Sequence, residues 1–247
     1  MFKQGREFLK DTIRLTFDFS KTDQSLGVPA PPLEKPAPPD AERIRLPGKK
    51  EWGHYSKTDL LEAISKRRSI RDFKDDPLEL DELAYLLWVT QGVQRKFENK
   101  ATFRPVPSAG ARHALETYLI ISAVKGLDAG VYRYLPLEHE LVAVAKDGQI
   151  RAKLAEAVLG QGFAATAAVV FVWTAMAYRM EWRYGPASSK AIALDAGHVC
   201  QNLYLACEGI GCGTCAVGAY HQELMDQVLG VDGEDEFVIY LAPVGKV

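Results

Sequence analysis

Apolar positions along this chain follow two rhythms, a 3.6-residue spacing and short continuous runs, separated by stretches that have neither. Phe8, Leu9, Ile13 and Leu15 predict a short amphipathic helix over residues 2–16. Residues 29–47 hold seven of the thirteen prolines. Each Pro lacks an N–H and fixes φ, so this stretch is neither a helix interior nor a central strand. Leu33, Ile44 and Leu46 interleave as anchors, which predicts an extended strap lying over a surface. At Ser56 the pattern changes. Ser56-x-x-Asp59 precedes Leu60, Leu61 and Ile64, a capping-type start to a helix that ends near Arg67 or Arg68, with "SIRDF" extended beyond it. Leu83, Leu86, Leu87 and Thr90 keep a helical period over residues 80–91. Residues 94–111 read as a long loop. Continuous apolar runs at 116–124 and 166–175 predict buried strands, "GVYRY" and "ELVAVA" a pair of short strands, and 150–159 a helix. The longest helix, about 189–208, is apolar nearly all round: Ile192, Ala196, Val199, Leu203 and Ala206 share one face, while Leu194, Leu205 and Cys207 lie on others. Such a helix is buried in the core or against a second subunit. A short extended piece, a helix at 221–229 and a strand at 237–245 close the chain. Helices and strands mix without strict βαβ alternation, which predicts an α+β fold.

Composition narrows the class. The 247 residues fit one large domain or two small ones, and 47% apolar with 25% charged residues is the balance of a soluble globular protein. A net charge of −2 gives no general basic field for nucleic acid. The longest apolar run, Phe163 to Ala177, is too short for a membrane span, and the charged N-terminus lacks the pattern of a signal peptide. The expectation is a cytoplasmic protein with neither nucleic acid nor membrane as partner. The four cysteines, Cys200, Cys207, Cys212 and Cys215, fall within 16 residues. With only one C-x-x-C they read as packing residues, against a metal site or a redox pair at Cys212 and Cys215; no metal is expected.

Three segments carry candidate chemistry. "KRRSIRDFKDD" gathers Lys66, Arg67, Arg68 and Arg71 around Ser69 at a helix-to-strand junction. Arginine forks suit a phosphate, although cations at a helix C-terminus also favour its dipole. "VPSAGARHA" places Ser108, Ala109 and Gly110 in a loop before a buried strand, where small residues admit a flat ligand or simply make a turn. "GIGCGTCAVGAY" is rich in Gly, but a helix precedes it and an extended piece follows, which rules out a Rossmann fingerprint. Its glycines end the long helix and bring backbone N–H groups close to something planar. Asp195, His198 and Asn202 line one side of the long helix as a proton relay or as a buried polar network that sets its register. Tyr178, Arg179, Trp182, Arg183 and Tyr184 shape either a substrate mouth or a capping loop.

The order of these segments resembles the nitroreductase superfamily of flavin enzymes. It is most similar to the branch of thiazoline/oxazoline peptide dehydrogenases and their stand-alone relatives. The matching residues are Arg67, Arg68, Ser69, Arg71 and Phe73, then Pro107 to Ala111, then Leu194 to Ala206, then "GTCAVGAY" and "LAPVGK". The resemblance implies a nitroreductase-like fold, a mixed sheet flanked by helices, with FMN at a homodimer interface. It divides the chain into an N-terminal helix and strap (1–55) and an FMN-binding domain (56–247). It implies that Arg67, Arg68 and Ser69 hold the FMN phosphate and ribityl chain, and that Arg71 sits near the flavin N1/O2 edge. Pro107, Ser108, Ala109 and Gly110 would touch the ring system, in many members from the other subunit. Val217 and Gly218 would face N5 and O4, and Lys246 would reach the phosphate. Arg71 and Tyr184 are the candidate catalytic residues. The implied activity is hydride transfer through flavin N5, from NAD(P)H or an organic donor to a small conjugated acceptor such as a nitroaromatic or quinone. The alternatives are azoline oxidation of a peptide with a cyclodehydratase partner, or a flavin-binding scaffold without turnover. Where the peptide-dehydrogenase branch often reads Tyr-Arg-Tyr before the long helix, this chain has Ser189-Lys190-Ala191.

Overall fold

The computed structural model describes residues 2–98 and 100–247; the side chains of Ser56 and Lys57 lie outside the described set, and with them the Ser56 half of the expected cap. The strands are β1 (Arg43–Arg45), β2 (Arg95–Phe97), β3 (Ala101–Phe103), β4 (Leu115–Ile121), β5 (Gly130–Leu135), β6 (Glu140–Lys146), β7 (Val169–Met176), β8 (Cys212–Thr214) and β9 (Glu236–Lys246). The helices are α1 (Lys3–Leu9), α2 (Ile13–Thr16), α3 (Lys49–Trp52), α4 (Leu60–Lys66), α5 (Leu80–Gln91), α6 (Ile150–Ala157), α7 (Phe163–Thr166), α8 (Tyr178–Tyr184), α9 (Ser188–Glu208) and α10 (Gln222–Leu229).

Seven strands form one sheet in the order β1-β6-β5-β4-β7-β9-β8. Neighbouring strands run antiparallel, and an isolated parallel bridge joins Leu78 to Val124. Both faces are covered, so β4 and nearly all of β7 are buried without alternation. Leu115, Leu119, Ile121, Phe171 and Trp173 pack with residues of α5 and α9 on one face. Tyr118, Ile120, Val170 and Val172 pack with α6 and α10 on the other. Helix α9 is therefore a core element, but Leu194 is left 56% exposed, and Leu60, Leu61 and Ile64 on α4 are exposed too. Asp59 caps α4, its side chain accepting from the Glu62 N–H at 2.9 Å. Among the described residues, no helix is long and apolar enough to cross a membrane.

Three local expectations change. The single N-terminal helix is two, α1 and α2, broken where Lys10 turns extended. Phe8, Leu9 and Leu15 are exposed rather than packed on the core, so no buried face holds one long helix together. The loop at 94–111 contains the β2–β3 hairpin, held by Phe97 against Phe103 at 4.6 Å. Its strands are three residues each, too short to show a period. The segment from Tyr178 to Tyr184 is helix α8, not a loop.

The strap is clamped onto the sheet. Leu33 and Leu46 are buried, and β1 pairs with β6. A proline-rich backbone has more carbonyls than N–H groups to answer them, and buried arginines supply the missing donors. Arg104 donates to Leu33 O at 3.3 Å, and Arg133 donates to Lys35 O at 2.7 Å and to Pro36 O at 3.0 Å. Glu116, 2% exposed, accepts from the Lys35 N–H and pairs with both Arg133 and Arg179.

Candidate functional site

The basic segment leaves α4 and runs beside the edge strand β8, with the Ile70 N–H donating to Thr214 O at 3.0 Å. Gly213 makes this approach possible: a Cβ there would lie 2.7 Å from Ile70. The segment turns again at Phe73, which sits so close to Gly245 that an added Cβ would meet it at 2.9 Å. Tyr204 of α9 anchors the middle. Its hydroxyl is 3.0 Å from Ser69 Oγ and accepts from the Ala216 N–H at 2.7 Å, while Arg67 lies over its ring at 5.2 Å. Arg71 lies over Phe163 of α7 at 5.7 Å. Neighbouring lysines are committed: Lys66 to Glu62, Lys74 to Val247 O, and Lys246 to Glu82. Burial works to lower the Lys246 pKa, but the Glu82 hydrogen bond and carboxylate charge outweigh it and leave it raised. Among the described residues, Arg67, Arg68 and Arg71 have no carboxylate partner. Arg68 donates only to backbone oxygens of Ser65 and Arg67.

The glycine-rich segment follows. Gly209 ends α9, and Gly211 takes a left-handed φ of 63°. The tight approach at Gly213 is to Ile70 of the chain itself, so part of the expected service to a planar ligand is structural. Val217 exchanges both backbone hydrogen bonds with Leu241, at 2.8 and 3.2 Å, and has no backbone donor left to offer. Gly218, exposed and beside it, has no partner for its N–H among the described residues. All four cysteines are free thiols and buried. Burial pushes Cys200 and Cys212 up to about 12 and raises Cys207 well above its usual value, so these three pack as neutral groups.

The Pro107–Gly110 loop sits elsewhere, against the N-terminal half of α9. It is a strained turn: Gly110, Ala111 and His113 all have positive φ, at 58°, 52° and 46°. Several contacts hold it there. Ser108 Oγ accepts from the His113 N–H at 2.9 Å, His113 Nε2 meets Thr102 O at 3.0 Å, and Asp195 Oδ1 accepts from the Ala109 N–H at 3.3 Å. Burial and the Arg104 charge pull the His113 pKa down to about 3, so its ring is neutral. Tyr184 closes the turn from outside, and a Cβ on Gly110 would lie 2.6 Å from its hydroxyl.

Two half-sites result. Arg67, Arg68, Ser69 and Arg71 gather near Tyr204 and Gly218; Pro107 to Gly110 gather with Tyr184 near Asp195. Asp195 and Tyr204 are separated by about 13.5 Å of helical rise, so the two groups lie apart along α9. Of the two readings of Asp195, His198 and Asn202, a proton relay or a buried polar network, neither rests on contact among the three: no hydrogen bond joins them within the described residues. Asp195 serves the loop, Asn202 donates to Val89 O at 2.8 Å and ties α9 to α5, and His198 is exposed. Tyr204 was not singled out by motif; its signal was a tyrosine on an otherwise small and aliphatic helical stretch.

A model of the nitroreductase family matches residues 64–246. A protein described as a nitroreductase in Methanocaldococcus jannaschii is 34% identical over 207 residues, covering 84% of this chain and 98% of the relative. The trifolitoxin-processing protein TfxB of Rhizobium leguminosarum bv. trifolii is 29% identical over 133 residues, which cover 52% of this chain and 36% of that protein. The solved structure of a nitroreductase from Ralstonia eutropha superposes with a TM-score of 0.69 at 26% identity, over 89% of this chain and 98% of that one.

Proposed function

The chain belongs to the nitroreductase family of oxidoreductases, and on that premise we propose that it is an FMN-dependent enzyme working as a homodimer. When bound, FMN supplies a hydride acceptor and donor at N5 and holds negative charge at its N1/O2 edge when reduced. The residues fit the group. Arg67 and Arg68 hold the phosphate by charge-assisted hydrogen bonds, with Ser69 beside them fixed by Tyr204. Arg71 is the fixed cation that stabilises charge at the N1/O2 edge. The open N–H of Gly218 is the donor near N5, a part the Val217 N–H cannot share. Lys246, held by Glu82, orders the end of β9 and reaches phosphate only if that pair opens. The Pro107–Gly110 loop and Tyr184 serve the cofactor of the second protomer, and the exposed Leu60, Leu61, Ile64 and Leu194 supply apolar surface for pairing. NAD(P)H is the reductant and a small conjugated molecule, a nitroaromatic or quinone, the acceptor.

The carrying observation is the contrast within one segment: three arginines without carboxylates beside lysines that all have partners. Purified protein is expected to be yellow, to release FMN on denaturation, and to lose its flavin band under NADH or NADPH without oxygen. Colourless protein that takes up no added FMN overturns the reading. Bound FMN that neither nicotinamide reduces would make it a scaffold. The similarity to a trifolitoxin-processing protein favours a second reading, azoline oxidation on a peptide with a cyclodehydratase partner. Robust NADH oxidation with simple acceptors, and no co-purifying partner, argues against it.

A further inference from the structure

Strand β9 carries an irregularity beside the basic half-site. Val238 pairs with Thr174 and Tyr240 with Trp173, which leaves Ile239 as an extra residue, a β-bulge. In a regular strand Val238 and Tyr240, two apart, would face the same side of the sheet. Here Val238 packs with α6 and α10, while the bulge turns Tyr240 to the other face, with α9. Trp173, fully buried, braces its ring at 6.1 Å. The ring edge next to the hydroxyl lies at Gly218, where an added Cβ would be 3.8 Å from Tyr240 Cε2. The bulge therefore brings a phenol to the exposed glycine whose N–H has no partner among the described residues.

The hydroxyl is unspent. Tyr132, Tyr178 and Tyr220 donate theirs to Asp128 O, Asp23 and Val238 O. Among the described residues, the Tyr240 hydroxyl meets no nitrogen or oxygen partner, only the Cys200 thiol, a weak acceptor. Tyr240 is half-buried, and its hydroxyl is not among the side-chain polar atoms sealed away without a partner. Burial pushes it up to about 12, so it keeps its proton through the neutral range. Nearby Tyr204 is already engaged with Ser69 and the Ala216 N–H, and Cys200 and Cys215 are buried. Beside Gly218, Tyr240 is the group with a proton to give.

We propose that Tyr240 is the proton donor to the acceptor molecule, through a hydroxyl that the β9 bulge aims at a ligand lying beside Gly218. This rests on the flavin reading above. Reduction of a quinone takes one hydride, which carries both electrons, and one proton. The hydride comes from the reduced flavin and ends on one quinone oxygen. The Tyr240 O–H bond breaks as an O–H bond forms at the other oxygen, and water returns a proton to the tyrosinate. The receiving oxygen becomes that of a phenol, the same kind of group as the donor, so the transfer is close to balanced.

The test compares two acceptors on the FMN-loaded full chain, reduced with stoichiometric dithionite without oxygen. Duroquinone takes up electrons together with protons; ferricyanide takes electrons alone. In the wild type, reoxidation by duroquinone should slow in heavy water and reoxidation by ferricyanide should not. Tyr240→Phe should slow duroquinone relative to ferricyanide by about a hundredfold, the scale of general acid catalysis. Tyr240→His restores a ring N–H donor and should recover part of that loss. A purely structural tyrosine would slow both acceptors alike. Equilibrium binding to the oxidised protein gives a second readout without turnover. Tyr240→Phe should weaken duroquinone about two- to tenfold, the scale of one neutral hydrogen bond. It should leave durene, the same ring without oxygens, unchanged. Equal slowing of the two acceptors, or unchanged duroquinone binding, overturns the proposal. So does a duroquinone rate insensitive to heavy water, a comparison that stands even if Tyr240→Phe fails to fold. Protein that takes up no FMN overturns the flavin reading and this inference with it; FMN-loaded protein that fails the acceptor comparison overturns this inference alone.

Discussion

Two arginine clusters in this molecule have opposite circumstances. Arg104, Arg133 and Arg179 are nearly inaccessible and give their donors to strap carbonyls, Gln91, His113 and Glu116. Arg67, Arg68 and Arg71 are exposed or half-exposed and have no carboxylate partner among the described residues. A guanidinium with every donor answered inside the protein is structural. One held in place over an aromatic ring, with donors left over, is available to a ligand.

The largest effect that tests this contrast lies in the buried cluster. Glu116→Ala leaves Arg133 and Arg179 buried without their shared carboxylate and should cost about 3–5 kcal/mol, measured by denaturant unfolding; a loss below 1 kcal/mol would erase the distinction between the clusters. Tyr204→Phe comes next. It removes the acceptor of the Ala216 N–H and the partner of Ser69, and should cost about 1–3 kcal/mol while loosening FMN. Arg67→Ala should leave stability within about 0.5 kcal/mol yet release most of the FMN, read from flavin fluorescence after gel filtration. Arg71→Ala should retain FMN and alter its rate of reduction; equal retention in both variants would contradict their separate roles.

The smallest effect concerns the strap and pH. Burial, with Glu138 and Glu116 nearby, raises the Glu34 pKa from 4.5 to about 7, against the hydrogen bond from the Leu137 N–H. The folded chain therefore binds more protons than the unfolded chain between about 4.5 and about 7, and this contribution to stability falls as pH rises through that window. Glu34→Gln removes the titration. Its melting temperature, compared with wild type, should gain ground between pH 5 and pH 8, and parallel profiles would show that Glu34 is not the group responsible.

The strap and the basic segment were legible to different depths. Leu33 and Leu46 were readable as strap anchors because apolar residues among prolines have no other use. The clamp was not readable, because Arg104, Arg133 and Arg179 stand far from residues 33–36 in the chain and in no shared motif. The basic segment was visible as charge density, but its donors' freedom depends on where Glu62, Glu82 and the C-terminal carbonyl lie. Asp195 was visible as a polar residue on an apolar helix. The partners that turned it from a helix relay to a loop tie come from residues 108 and 109, more than eighty positions away.

Helix and strand periods, the end of α9 at its glycines and the expectation of an α+β fold follow from local backbone preferences and side-chain spacing, which residue order carries directly. Tertiary packing alone decided that Val217 has no backbone donor to offer while Gly218 has, that Arg67 has no carboxylate among the described residues while Lys246 does, and that Asp195 ties the loop at Ala109. Hydrogen-bond capacity belongs to the residue, but whether it is already used depends on which distant groups the fold brings within about 3 Å.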